Sequence, residues 1–352
     1  MCNPLKLLVC IIAFSFLTSL SFACVNLSDS STFGTKVVNV SGTYYVNENT
    51  TLCTGTYSTN SSMIAMNSSS ISLDCNNAIL LNVNGSGNQG IDTSGNSHLD
   101  IRNCVIRGFD SGFNLANSGS NAFTSNILFN NTYGFFMGAS SSNTFSNNTL
   151  SYNGYGFYLS LSSSSNNFFN NTANNNTNGF YLCSASSSEL FANNTVYGNG
   201  YGFYSYQESN SNKYLNNTAY NNNYGFYCGG FSYSNLFVNN TAYGNGDGFA
   251  MSGCHGNTLV SNLAYNNGNG FFTYYSTGNT NNFTNNLAYN NSGGFSINSP
   301  GNSFFNNSIY SNSGDGVSLS YGQNSFTNNL VLNNGGNGFS SSTSSNSLIN
   351  RQ

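Results

Sequence analysis

Few residues in this chain are able to do chemistry. Only 5% of its 352 residues are charged, and the net charge is −4. Polysaccharide cleavage wants two carboxylates roughly 5–9.5 Å apart. Asp247 and Asp315 share a column of a repeat but stand three repeats apart, about 14 Å at strand spacing. Glu189 and Glu208 fall at different corners of the repeat. Asp92, Asp100 and Asp110 form the densest acidic set, with Arg102 and Arg107 beside it. A lyase would use such a set with Arg as base and Ca²⁺ on the carboxylates. Ordinary surface charge explains it more simply, and no catalytic residue is assigned.

Aromatic residues are the other candidates. Tyr197, Tyr220, Tyr243, Tyr265, Tyr289 and Tyr310 recur on successive repeats, with Thr149, Thr172, Thr195, Thr218 and Thr241 in a parallel column. Phe136, Tyr158, Tyr181, Tyr204 and Tyr227 form a further column, resumed at Phe272. Alternation of period two places these side chains outside. Rows of exposed rings stack on sugars, and Thr and Asn bond sugar hydroxyls. The candidate ligand-binding residues are therefore Tyr158, Tyr181, Tyr204, Tyr227, Tyr197, Tyr220, Tyr243 and Tyr265. The competing account is purely structural: Tyr and Thr favour strands, and stacked identical residues stabilise a sheet without binding anything.

The elements that position these residues are legible in the spacing. Gly-Phe recurs at Phe113, Phe135, Phe157, Phe180, Phe203, Phe226, Phe249, Phe271, Phe295 and Phe339, with Gly-Val at Val317. A period of 22–24 residues marks a solenoid. Within "NTFSNNTLSYNGYGFYL" (143–159) three short alternating stretches are separated by Asn corners, the layout of a parallel β-helix. Asn126, Asn148, Asn171, Asn194, Asn217, Asn240, Asn262, Asn286, Asn307 and Asn329 share a corner column. They are expected to take the left-handed conformation and to form an amide ladder. Gly before each Phe is expected to supply a positive φ or room for close backbone approach. The predicted core holds the Gly-Phe column, a stack from Phe123 through Phe145 and Phe168 to Phe326, and a slim column from Leu150 through Ala173 to Ala288.

Residues 1–23 read as a secretory signal peptide: Lys6 precedes an apolar run, and Ser21 and Ala23 suit a cleavage site,. Residues 24–112 are less regular and read as a cap with irregular first rungs, before regular rungs over 113–352. Export permits disulfides, and Cys24–Cys53 and Cys75–Cys104 are plausible pairs. Asn147, Asn170, Asn193, Asn216, Asn239 and Asn306 each begin an N-N-T or N-N-S sequon, a glycosylation signal that the repeat's own composition also generates. The final "NSLINRQ" (346–352) starts another rung without a cap. Such an open edge invites self-association.

The stretches "SLDCNNAILL" and "LDIRNCVIRGFDSGF", and the rungs after them, resemble the right-handed β-helix superfamily of carbohydrate-binding proteins and sugar hydrolases over roughly residues 70–350. The likeness is greatest to its NosD-like branch of exported envelope proteins. That branch is associated with copper-enzyme maturation, which directs attention to Cys228, Met251, Cys254 and His255. Cys and Met favour Cu(I), yet Cys228 and Met251 share an inward column with Leu159 and Leu182 and read as core. "GCHGN" (253–257) reads as an exposed turn with only two ligands. Neither a metal nor a cofactor is assigned.

The sequence thus predicts an all-β, right-handed, single-stranded parallel β-helix. It is expected to be secreted or displayed at the cell surface and to be non-catalytic. Its expected partner is a glycan or another envelope component along the aromatic face. The alternatives are a structural rod and a polysaccharide lyase or hydrolase. Low charge with few cations excludes a nucleic-acid footprint, and a membrane would be met only through an uncleaved signal or lipid anchor.

Overall fold

The regular turns share one plan: three short strands joined by three corners, with positive-φ residues at the corners, such as Ser142, Asn147 and Tyr152. The computed structural model describes residues 24–84, 87–275 and 281–349. The expected signal peptide lies outside the described residues. Strands such as Thr144–Ser146, Thr149–Ser151 and Tyr155–Ser160 make one rung. Stacked in register, they build among the described residues three sheets of 14, 13 and 15 strands, called here the first, second and third and parallel apart from one pair at the N-terminal end. Register is exact from rung to rung: Phe145 pairs with Phe168, Leu150 with Ala173 and Phe157 with Phe180.

The corners divide two jobs that the sequence assigned to one residue. The left-handed position is taken by the exposed residue just before the ladder Asn, for example Asn147 (φ 56°), Asn170 (φ 55°) and Asn193 (φ 57°). The following Asn is buried and carries the ladder. Asn148 Nδ2 donates to Asn171 Oδ1 (3.0 Å) and to Phe123 O (2.9 Å), while its backbone N–H donates to the same Asn171 oxygen (3.0 Å). The other two corners repeat the device. One ladder runs through Asn153, Asn176 and Asn199, and the other through Asn143 and Asn166. Each buried amide thereby satisfies backbone groups that a tight corner would leave unpaired.

The interior is a pile of rings. Phe145 stacks on Phe168 at 4.9 Å, Phe157 stacks on Phe180 at 4.6 Å, and Phe157 meets Phe168 edge to face at 5.1 Å. All of these rings are fully buried, each worth roughly 1.5–3 kcal/mol of transfer energy. The slim column of Leu150, Ala173, Val196 and Ala219 is buried too. It leaves room for the Gly before each Phe. These glycines do not need positive φ; a Cβ on Gly202 would sit 2.5 Å from Gly225 O and 2.7 Å from Val196 Cγ2. Close backbone approach is therefore their reason.

At the N-terminal end Val37–Val40 pairs antiparallel with Thr43–Val46, and parallel pairing begins where Thr43–Val46 meets Ile64–Met66. Val25, Leu27 and Phe33 are buried against this end. Disulfides join Cys24 to Cys53 and Cys75 to Cys104.

Candidate functional site

The third sheet turns an unusual surface outward. In several of its strands Gly and Phe are both buried while the residues before Gly and after Phe are half-buried, as in Tyr155 and Tyr158; Asn178 and Ala250, at the equivalent positions, are buried. Two aromatic columns result. One carries Phe136, Tyr158, Tyr181, Tyr204 and Tyr227, as the sequence indicates. The other, missed by a reading that assumed unbroken alternation, carries Tyr133, Tyr155, Asn178, Tyr201 and Tyr224. The recurrence of Tyr two residues before Phe was the available signal.

Some of these rings stack, Phe136 on Tyr158 at 10° and Tyr201 on Tyr204 at 19°, and others are tilted. Tyr155 meets Tyr158 at 79°, Tyr158 meets Tyr181 at 47°, Tyr181 meets Tyr204 at 54° and Tyr204 meets Tyr227 at 82°, with centroids 5.0–5.5 Å apart. All four column members from Tyr158 to Tyr227 are half-buried. Burial, with the Cys183 thiol nearby, pushes the Tyr181 phenol up to about 12. Burial and the neighbouring Tyr227 raise Tyr204 further still. These hydroxyls stay protonated at any physiological pH and act as neutral donors and acceptors.

The second sheet differs. Tyr197, Tyr220, Tyr243, Tyr265, Tyr289 and Tyr310 form one pile with centroids 4.8–5.5 Å apart and planes within 4–11° of parallel. Each ring covers the face of the next, so the pile offers solvent its edges and hydroxyls. A sugar ring stacks on an aromatic face, and here the faces are used internally.

The charged candidates separate onto different faces. Arg102 Nε contacts Asp74 Oδ2 and Arg102 Nη1 contacts Asp100 Oδ2, both at 3.0 Å. Burial pushes the Asp74 carboxyl up. Hydrogen bonds from Asn103, the Asn76 N–H and Arg102, together with the Arg102 charge, outweigh it and hold the group below its ordinary value. Asp92 lies on the third sheet, accepting from Ser94 and Asn114. Arg107 lies on the second sheet, 5.6 Å over the Phe129 ring. The five-residue set is thus split by the turn of the rung. Asp74 and Arg102 instead border a groove of about 600 Å³ with Lys36, Glu48 and Thr50.

Two further placements differ from the sequence reading. Glu189 stands at a corner, but its side chain is fully buried, taking its place in the Asn143–Asn166 ladder where the repeat calls for Asn. Cys254 is not exposed at a turn; it is fully buried, its Sγ 3.8 Å from Met251 Sδ. His255 stacks on Tyr233 at 5.6 Å instead of joining the sulfurs. The sequon residues Asn147, Asn170, Asn193, Asn216, Asn239 and Asn306 are all exposed, in a single column at the first corner.

This fold and surface define a right-handed parallel β-helix. The chain belongs to the family described as "Periplasmic copper-binding protein (NosD)", whose model matches residues 36–228. A second model, "Right handed beta helix region", matches residues 182–304. No curated protein matches the sequence. Among solved structures, the mannuronan C-5 epimerase AlgE4 A-module of Azotobacter vinelandii is similar, at 16% identity and a TM-score of 0.65, over 86% of this chain and 91% of that one. The AlgE6 A-module of the same organism gives 16% identity and 0.58, over 87% and 90%. A mutant of the periplasmic alginate epimerase AlgG gives 14% and 0.58, over 93% and 82%.

The copper in the family's description was tested against the donors present. Among the described residues no group of three or more His, Cys, Asp or Glu is placed to hold a metal ion. Cys228, Met251 and Cys254 come together in the core, but Asn235 Nδ2 and Ser232 O already engage Cys228 Sγ, at 3.7 and 3.8 Å. Burial pushes the Cys254 thiol well up, with Cys228 adding to the effect, as expected of a thiol packed in an apolar core. These residues fit core packing and do not fit a copper site.

Proposed function

We propose that this protein is an exported or cell-surface β-helix that binds a glycan or another envelope component along the third sheet, without cleaving it. The observation that carries this reading is the half-buried strip of Tyr158, Tyr181, Tyr204 and Tyr227, whose planes are tilted 47–82° to one another instead of closing into a parallel pile. The similar folds are those of epimerases that act on mannuronan or alginate, which supports a polysaccharide as the partner class. Two disulfides and a family described as periplasmic support export. The exposed sequon column fits glycosylation of an exported chain. It borders the second sheet and leaves the third sheet clear.

The test is a glycan array probed with the purified chain. Selective binding that Tyr204→Ala weakens at least tenfold, and that Tyr243→Ala leaves within twofold, is the expected result. A blank array from folded protein would replace this reading with a structural rod, the role to which the parallel Tyr197–Tyr310 pile is already suited. A second reading rests on Arg102, which pairs with Asp74 in the groove and with Asp100 beside it. Cleavage of a bound polysaccharide that Arg102→Ala abolishes would make the protein a lyase or hydrolase.

A further inference from the structure

The charges of this molecule are not shared evenly among its faces. Among the described residues the lysines and arginines are Lys36, Arg102, Arg107 and Lys213. Arg102 and Lys213 lie on the first sheet and Arg107 on the second. Lys36 precedes Val37–Val40, the outermost strand of the third sheet, five strands before Tyr133–Gly138, where the aromatic strip begins. Five strand spacings are about 24 Å, well beyond the Debye length of about 8 Å at physiological salt. On the 15 strands of the third sheet the only charged side chains among the described residues are Asp92 and Asp247.

These two carboxylates bracket the strip. Asp92 shares the column of Phe136 and stands two strands before it, with Asn114 between them. Asp247 continues the column of Tyr201 and Tyr224 on the very next strand. Neither is paired with a cation, since both ion pairs of the described residues use Arg102. Asp92 Oδ1 accepts from Asn114 Nδ2 at 3.1 Å, and Asp247 Oδ1 accepts from Asn269 Nδ2 at 2.8 Å. Both residues are half-buried, so solvent and salt screen them less than fully exposed charges. Asp110, Glu208 and Asp315, at the corners that flank this sheet, add negative charge on the same side. A polymer laid along Tyr158–Tyr227 therefore meets neutral phenols in the middle and carboxylates at both ends.

We propose that this face selects neutral glycans and rejects polyuronates, with Asp92 and Asp247 setting the choice. Like charges brought together are a strong device for refusing a wrong partner, and recognition of a carboxylate calls for Arg or Lys, which this sheet lacks along the strip. The proposal rests on the glycan-binding reading and narrows it to one substrate class. It also parts this chain from the similar epimerases, which are named for mannuronan and alginate. Mannuronan is a polyuronate, so the fold is shared while the charge on this face opposes that polymer.

The test is calorimetry with oligosaccharides of matched length. The neutral probes are oligomers of glucose and of N-acetylglucosamine, and the anionic probes are oligomers of mannuronate and of galacturonate. A chelator is present, so that no divalent cation bridges two carboxylates. The expected result is at least a tenfold preference for the best neutral probe over the best uronate at low salt, narrowing as salt is raised. Asp92→Asn with Asp247→Asn removes both charges and keeps an oxygen to accept from Asn114 and Asn269. In that double variant the preference should narrow at least threefold, through tighter uronate binding. Native protein that binds a uronate as tightly as any neutral probe overturns the proposal and leaves the glycan-binding reading standing. An unchanged preference in the folded double variant overturns the role given to Asp92 and Asp247. Failure to bind any probe overturns both the proposal and the reading beneath it.

Discussion

Replacing Glu189 by Gln should make the protein more stable at pH 8 and change it little at pH 4. Glu189 Oε2 accepts the Asn166 backbone N–H at 2.6 Å, and Oε1 accepts from Asn166 Nδ2 at 3.2 Å. An Asn in the ladder would also donate, as Asn166 does to Ser140 O and Asn212 does to Ser186 O. A carboxylate donates nothing, so only the protonated acid can copy the amide. Burial accordingly pushes this carboxyl from its ordinary 4.5 up to about 8, and the two bonds from Asn166 only partly offset the shift. Because the folded value is the higher one, the native state binds the proton more tightly than the unfolded chain. Its contribution is complete below pH 4.5 and is lost as pH rises through about 8,. At 1.36 kcal/mol for each unit of pKa, the loss is on the order of 3–5 kcal/mol once local relaxation is allowed for. Glu189→Gln is neutral throughout and keeps both an acceptor and a donor. Urea unfolding of both proteins, followed by circular dichroism from pH 4 to pH 9, gives the difference directly, and the other carboxylates cancel. The variant's advantage should be under about 1 kcal/mol at pH 4 and about 3–5 kcal/mol above pH 8. Parallel pH profiles would refute the buried acid.

Two substitutions probe the repeat itself. Asn217→Ala removes an amide that donates to Asn240 Oδ1 and to Phe191 O, both at 3.0 Å, and that accepts two bonds from Asn194. It should cost about 3–5 kcal/mol, since several buried groups lose their partners together, and a shift in the denaturation midpoint smaller than that of an exposed Asn216→Ala would contradict the ladder's role. Gly202→Ala places a methyl against Gly225 O and Val196 and should cost about 1–3 kcal/mol; a stabilised variant in a thermal melt would mean that flexibility, not space, is what the glycine provides.

The parts of this structure that recur were legible, because a column repeated every 22–24 residues reports its own environment many times over. The Gly-Phe core, the Phe145 stack, the slim Ala column and both disulfide pairs were read this way or from pairs of Cys in the first rungs. What the sequence hid were single events and changes of phase. Glu189 carries no mark of burial except the Asn residues 23 positions before and after it. Cys254 sits in a Gly-flanked turn, and only the backbone path shows its thiol pointing inward. Asp92, Asp100 and Arg107 are close along the chain, but a rung bends through three faces in that distance. The Tyr155 column was hidden because Gly and Phe are buried side by side, which breaks strict alternation. The two tyrosine columns read in sequence looked equivalent, and only ring orientation told a tilted strip from a closed pile.

The ladders also bear on how such a chain changes length. Since the regular rungs, the Glu189 rung apart, present the same three amides to the next, a segment running from one ladder Asn to its equivalent is a module that recombination can duplicate or delete without a seam. Excising 217–239, for example, would bring Asn216 up to Asn240, and the alternation of exposed corner and buried amide would continue unbroken. Each such event would alter the rod by one strand spacing, about 4.8 Å, and leave its cross-section unchanged. Asn178 and Glu189 both depart from the repeat within a single turn of the coil. In a molecule otherwise free to drift in length, that turn is a landmark, a place along the axis that a partner could distinguish from its neighbours.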